Sequence, residues 1–238
     1  MFSIFYFLDS RFMISFQKVS KIYPPDTAVL QDVSFEVKEG EFVSIVGKSG
    51  AGKTTLIRLI LGLEEPTYGD VFFDGLNVSK VRDADLQKIR RRIGAIYQDY
   101  RLLSAKTVYE NVAYIMAVDG KSNDEILLEA PRVLEAVGIK EKINNFPEEL
   151  SGGEQQRLAI ARAIVNHPDV IIADEPTGNL DPYNSYEVIS ILEKINRTGR
   201  TVILATHDRE IINKLGKRVL TLENGIIVRD EAKGRFII

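Results

Sequence analysis

The segment Gly47-Lys48-Ser49-Gly50-Ala51-Gly52-Lys53-Thr54 fits the pattern G-x-x-x-x-G-K-[ST] and directly follows the apolar run Phe42-Val43-Ser44-Ile45-Val46. Glycines at that spacing let backbone N–H groups turn inward on a polyphosphate. Lys53 can then reach the terminal phosphates, and the Thr54 hydroxyl can hold Mg²⁺. Residues 55–61, opening with Thr55, read as a helix whose positive end points at the same anion. An ordinary glycine-rich turn with a surface lysine would need neither the strand before it nor the helix after it. The chain is therefore expected to be α/β, with this strand in its core.

At 238 residues and 45% hydrophobic content, the chain can bury a real core in one large or two small domains. A formal net charge of −3 gives no electrostatic case for nucleic acid, and no such partner is expected. The absence of cysteine excludes a disulfide framework and thiolate metal sites, and is compatible with the cytoplasm. Residues 1–12 are apolar over too short a run to cross a bilayer, which takes about 20 residues. They also lack the basic start and cleavage site of a signal peptide. They read as a loose extension before a second start at Met13; a weak interfacial anchor is the alternative.

Residues 13–19 and 33–37 read as short strands joined through Pro24-Pro25-Asp26. Tyr23, just before that link, either stacks on a base or packs at a sheet edge. Residues 70–73 form a strand entering the Asp74-Gly75 hairpin turn, so an antiparallel layer flanks the core. The helix expected over 83–92 ends in Lys88, Arg90, Arg91 and Arg92, which read as a solvated face. The strand at 93–97 delivers Gln98, an amide that either reaches Mg²⁺ or a water, or is a plain polar loop residue. Helical spacing over 107–138, broken by a loop at 119–124, predicts an inserted α-helical subdomain.

Ser151-Gly152-Gly153-Glu154 is a capping box that starts a helix, and its two glycines make a second anion-binding end that has no lysine. The double glycine weakens a helix start for no evident structural gain, which argues against a simple cap. The buried run 170–173 delivers Asp174 and Glu175 to the edge of the sheet where ligands bind. Asp174 would hold Mg²⁺, and Glu175 would polarise an attacking water. The strand at 201–205 leads to His207, read as a γ-phosphate contact although a lone histidine is more often structural. Residues 218–228 form a closing hairpin. One polyphosphate does not need two helix N-termini from one chain. A head-to-tail homodimer would use both, with Ser151 and Gly153 of one copy closing over ATP at Lys53 of the other.

The ordered set of Gly47 to Thr54, Gln98, Leu150-Ser-Gly-Gly-Glu-Gln, Asp174-Glu175, Asn179-Leu-Asp181 and His207 resembles the nucleotide-binding subunits of ATP-binding cassette (ABC) systems. The resemblance implies a RecA-like P-loop core over 13–238 with the helical subdomain at about 99–160. It implies ATP and Mg²⁺ as cofactors, and adenine stacking on Tyr23. It also implies catalytic roles for Glu175, His207, Gln98 and Lys53, metal contacts from Thr54, Gln98 and Asp174, and nucleotide contacts from 47–55, 151–154 and Asp181. The segments 97–103, 107–112, 145–147 and 173–181 are most similar to the FtsE subfamily of cell-division ATPases. That likeness implies an FtsX-like integral membrane partner docking at residues 98–111, other division proteins as further partners, and a place on the cytoplasmic face of the plasma membrane. The output would be control of septal peptidoglycan hydrolysis. Lipoprotein-release and macrolide-efflux ATPases share much of this wording and stand as the alternative. Soluble ATP-gated clamps generally carry coiled-coil insertions or two cassettes, which this chain lacks.

Overall fold

The structure, a computed structural model, describes residues 12–235. The extension expected over 1–12 lies outside them apart from Phe12, which opens the first strand and pairs with Lys38.

β1 (Phe12–Tyr23) and β2 (Thr27–Lys38) form one long hairpin, where shorter strands were expected. The register slips several times along it. Lys18 and Asp32 sit at φ 49° and 50°, and their N–H groups bond to the Ser34 and Ser20 hydroxyls at 2.9 and 3.0 Å. Such bulges break the alternation of apolar residues from which strand length is read. β3 (Phe42–Val46) leads into α1 (Lys53–Ile60), which begins at Lys53 itself. β4 (Tyr68–Phe73) and β5 (Leu76–Asn77) complete a four-stranded antiparallel sheet ordered β2-β1-β4-β5.

α2 (Asp83–Arg91) and β6 (Ile93–Tyr97) follow, then α3 (Val108–Val118), α4 (Asn123–Ala136) and α5 (Gly152–Ile164). The basic end of α2 is not simply a solvated face. Arg90 donates to the Leu61 and Gly62 carbonyls at 2.9 and 2.8 Å, closing the C-terminal end of α1. Arg92 pairs with Asp169 and Asp74.

β7 (Val170–Asp174), α6 (Pro182–Arg197), β8 (Thr201–Thr206), α7 (Arg209–Leu215), β9 (Arg218–Glu223) and β10 (Ile226–Glu231) finish the chain. The second sheet is ordered β10-β9-β3-β8-β7-β6, parallel from β9 to β6, with β10 antiparallel at one edge. Parallel neighbours cannot be joined by a tight turn and need a long crossover. Between β6 and β7 that crossover is the helical insertion itself.

Both faces of the parallel sheet are covered, which explains why its strands are continuously apolar. Ile172 and Ile203 point into a core shared with α1 and the antiparallel sheet, while Ile171 and Val202 point into a second core under α3 to α6. No helix among the described residues is long and apolar enough to cross a membrane.

Candidate functional site

β3 lies in the middle of the parallel sheet, between β8 and β9, so the loop that leaves its C-terminal end is anchored on both sides. The turn into α1 passes through Gly52 at φ 107°, and a Cβ there would stand 2.8 Å from Leu30 Cδ2, so no other residue fits. Lys53 is buried, and its Nζ donates to the carbonyls of Gly47 at 2.7 Å and Lys48 at 3.3 Å. Around the loop opens a cleft of about 630 Å³, whose walls include Ser49, Gly50, Thr54, Gln98, Glu175 and His207. Residues from four separated segments thus meet at one place.

Thr54 Oγ1 donates to Asp174 Oδ2 at 3.0 Å, while Asp174 Oδ1 is buried with no hydrogen-bond partner. Burial pushes the Asp174 carboxyl above its ordinary value, the Thr54 hydrogen bond opposes this, and the negative charge of Glu175 adds to it. Glu175 sits at φ 49°, and its N–H bonds to the Ala205 carbonyl at 2.8 Å. Its carboxylate faces Lys53 Nζ at 3.3 Å and His207 Nδ1 at 2.9 Å. A carboxylate only accepts, so Nδ1 carries the proton, and in the neutral ring Nε2 is an acceptor. His207, expected at the γ-phosphate, lines the same cleft and bonds to Glu175 through Nδ1.

Gln98 and Asn179 hold one another: Gln98 Nε2 lies 3.4 Å from Asn179 Oδ1, and Asn179 Nδ2 donates to the Gln98 carbonyl at 3.2 Å. Asp181 is the N-cap of α6, accepting from the Asn184 N–H at 3.0 Å and the Asn184 side-chain amide at 2.5 Å. The Asn184 N–H is the main reason its carboxyl lies below the ordinary range.

Ser151 and Glu154 form the full capping box at the start of α5, with Ser151 N–H on Glu154 Oε2 at 2.8 Å. They stand apart from the cleft, and Gly152 lies beside Tyr100 and Leu180. Gly153 does have a packing reason, contrary to the expectation from sequence, whereas a Cβ on Gly152 would meet only ordinary contacts. A Cβ on Gly153 would fall 2.0 Å from Asn184 Oδ1, so α6 can approach α5 only across a glycine.

Residues 30–178 match the family model described as ABC transporter. The chain belongs to that family. It is 50% identical over 224 residues to the cell division ATP-binding protein FtsE of Streptococcus pneumoniae, covering 94% of this chain and 97% of that protein. The FtsE of Escherichia coli K12 is 46% identical over 213 residues, covering 90% and 96%. Among solved structures, a dimeric post-hydrolysis state of the ATP-binding cassette MJ0796 bound to ADP and Pi is 36% identical. It superimposes with a TM-score of 0.85 over 94% of this chain and 100% of that one. The chain is a P-loop ATPase with the RecA-like ABC fold.

The ABC ATPase also has features that sequence reading missed. Its helical insertion and parallel sheet enclose a groove of about 510 Å³, lined in part by Tyr97, Tyr100, Arg101, Tyr114 and Arg162. Arg101 lies over the Tyr97 ring at 3.5 Å. Arg162 donates to the Arg101 carbonyl, but its Nε is buried without a partner, and burial lowers its pKa. Only its position on α5, one turn beyond Leu158, could have pointed inward. Tyr23 is half-buried with its hydroxyl bonded to Glu64, a contact between residues too far apart in sequence to be read from spacing.

Proposed function

We propose that this ABC ATPase dimerises head to tail around two ATP molecules and drives a conformational change in an FtsX-like integral membrane partner. The cassette spans 13–238, with its helical subdomain at about 99–160, and sits on the cytoplasmic face of the plasma membrane through that partner. Its output is regulation of septal peptidoglycan hydrolysis, with other division proteins as further contacts. The observation that carries this reading is identity to FtsE spread over 94% of the chain, rather than confined to the nucleotide motifs.

In this reading the backbone of 47–55 and the Lys53 ammonium bind the phosphates. Ser151, Gly152, Gly153 and Glu154 of the second copy close over them, next to Asp181. Glu175 accepts a proton from the attacking water as its oxygen bonds to the γ-phosphorus and the bond to ADP breaks. His207 holds the Glu175 carboxylate through Nδ1. Among the described residues no three carboxylate, imidazole or thiol groups form a metal cage. The unpartnered Asp174 oxygen beside the Thr54 hydroxyl fits a hard, oxygen-ligated cation. Mg²⁺ would be held by Thr54, Asp174 and Gln98 and would supply neutralisation of phosphate charge. The membrane partner docks at residues 98–111, beside the groove that contains Tyr100 and Arg101.

The test is to trap Glu175→Gln with ATP in cells, purify it from gently solubilised membranes, and identify the co-purifying membrane protein by mass spectrometry. A partner with few spans and a large extracytoplasmic domain, associated with the division apparatus, is the expected result. A lipoprotein-release or efflux permease would replace the division role with transport. Arg101→Glu is expected to reduce the yield of the partner; undiminished yield would move the interface elsewhere.

A further inference from the structure

β1 ends in Lys21-Ile22-Tyr23, and the side chains of Lys21 and Tyr23 both reach Glu64. The Tyr23 hydroxyl donates to Glu64 Oε2, just beyond α1. The other Glu64 oxygen receives Arg58 Nη1 at 2.9 Å, and Lys21 Nζ lies 3.5 Å from Oε2. Lys21 Nζ also stands over the Tyr23 ring, 5.0 Å from its centroid, and is itself fixed by donating to the Glu65 carbonyl at 2.8 Å.

A tyrosine tied only by its backbone can swing about its side-chain torsions, and a stacking partner must then meet the cost of fixing it. Here the ring is held twice, by its hydroxyl and by a cation on one face. Burial alone would raise the Glu64 carboxyl; the bonds from Tyr23 and Arg58 outweigh it and hold the group below its ordinary value. Glu64 is therefore an anion with three partners at neutral pH, a firm anchor for a phenol.

Resting on the reading of Tyr23 as the platform for the nucleotide base, we infer that Glu64 is the residue that positions it. Glu64 tethers the hydroxyl, Lys21 covers one face of the ring, and the base takes the other face. Glu64 itself touches no part of the nucleotide. Its effect should appear for ligands that carry a base and vanish for those that do not.

The experiment compares binding of a non-hydrolysable ATP analogue with binding of inorganic tripolyphosphate by calorimetry, for the wild type, Glu64→Ala, Tyr23→Phe, their double variant and Tyr23→Ala. Glu64→Ala and Tyr23→Phe are each expected to weaken the ATP analogue by about threefold to tenfold. The double variant should be no weaker than either single one, and tripolyphosphate affinity should not move. Equal losses for both ligands would make Glu64 a structural residue and overturn the inference. So would an unchanged Glu64→Ala alongside a weakened Tyr23→Ala, with the base-platform reading left standing. If Tyr23→Ala does not alter the ratio of the two affinities, the platform reading fails as well.

Discussion

Lys53 and Glu175 form an ion pair, with Nζ 3.3 Å from Oε1, although Lys53 opens α1, Glu175 follows β7 and 122 positions separate them by number. The same ammonium is bonded to the Gly47 and Lys48 carbonyls, so it spans the phosphate loop and the end of β7. A phosphate oxygen that binds Lys53 competes with all three acceptors.

Removing this cation should therefore act on binding. Lys53→Ala is expected to weaken ATP affinity by roughly 10- to 100-fold, the range of a charge-assisted hydrogen bond. Titration with a fluorescent ATP analogue checks this, and unchanged affinity would contradict the cradle assignment.

Glu175→Gln keeps the shape of the side chain and its reach to His207 but loses the basic oxygen. Phosphate release should fall by about 10²- to 10⁴-fold, roughly 3–5 kcal/mol of barrier, while ATP affinity is kept. The variant should elute as a dimer on size exclusion with ATP present. Wild-type turnover would remove Glu175 from the chemistry.

Asp174 gives the pH dependence. Its carboxyl is raised above the ordinary 3.8, chiefly by burial, so the native state binds its proton more tightly than the unfolded chain does. The cost of the buried charge is fully present above the native pKa and fades as pH falls from there toward the ordinary value. Asp174→Asn is expected to melt higher than the wild type at pH 7, with the gap narrowing on acidification and with hydrolysis impaired. Melting curves across that window decide it; a gap that widens in acid would reverse the sign of the argument.

At Gly153 the expectation is steric. Gly153→Ala drives a methyl group to 2.0 Å from Asn184 Oδ1, and Asn184 can yield only by giving up its bonds to Asp181 and Arg157. The variant should lose about 1–3 kcal/mol of stability in denaturant titrations. Asn184→Gly in the same chain should recover part of it; a fully stable single variant would mean that α6 moves aside freely.

Much of the site was legible because its elements are local in sequence. The loop from Gly47 to Thr54, the box from Ser151 to Glu154 and the acids after residue 173 each announce themselves within a few positions. The contacts that link them are long-range and left no periodicity to read. Glu64 under Tyr23, Asn179 against Gln98, and Asn184 in the space above Gly153 are pairings made by the fold. The hairpin of β1 and β2 was underestimated because its bulges at Lys18 and Asp32 mask the alternation. The packing role of Gly153 was missed for a related reason: nothing in a helix start tells which neighbour will cross it.

The helical crossover leaves from β6, and among the described residues β6 is an edge strand that pairs with β7 alone. At that margin the insertion is tied to the sheet backbone through one ladder, whereas β3 is paired on both sides, with β8 and with β9. The fold thus seats the phosphate loop between two laddered neighbours and sends the helical insertion out from the margin, with Gln98 the first residue after β6.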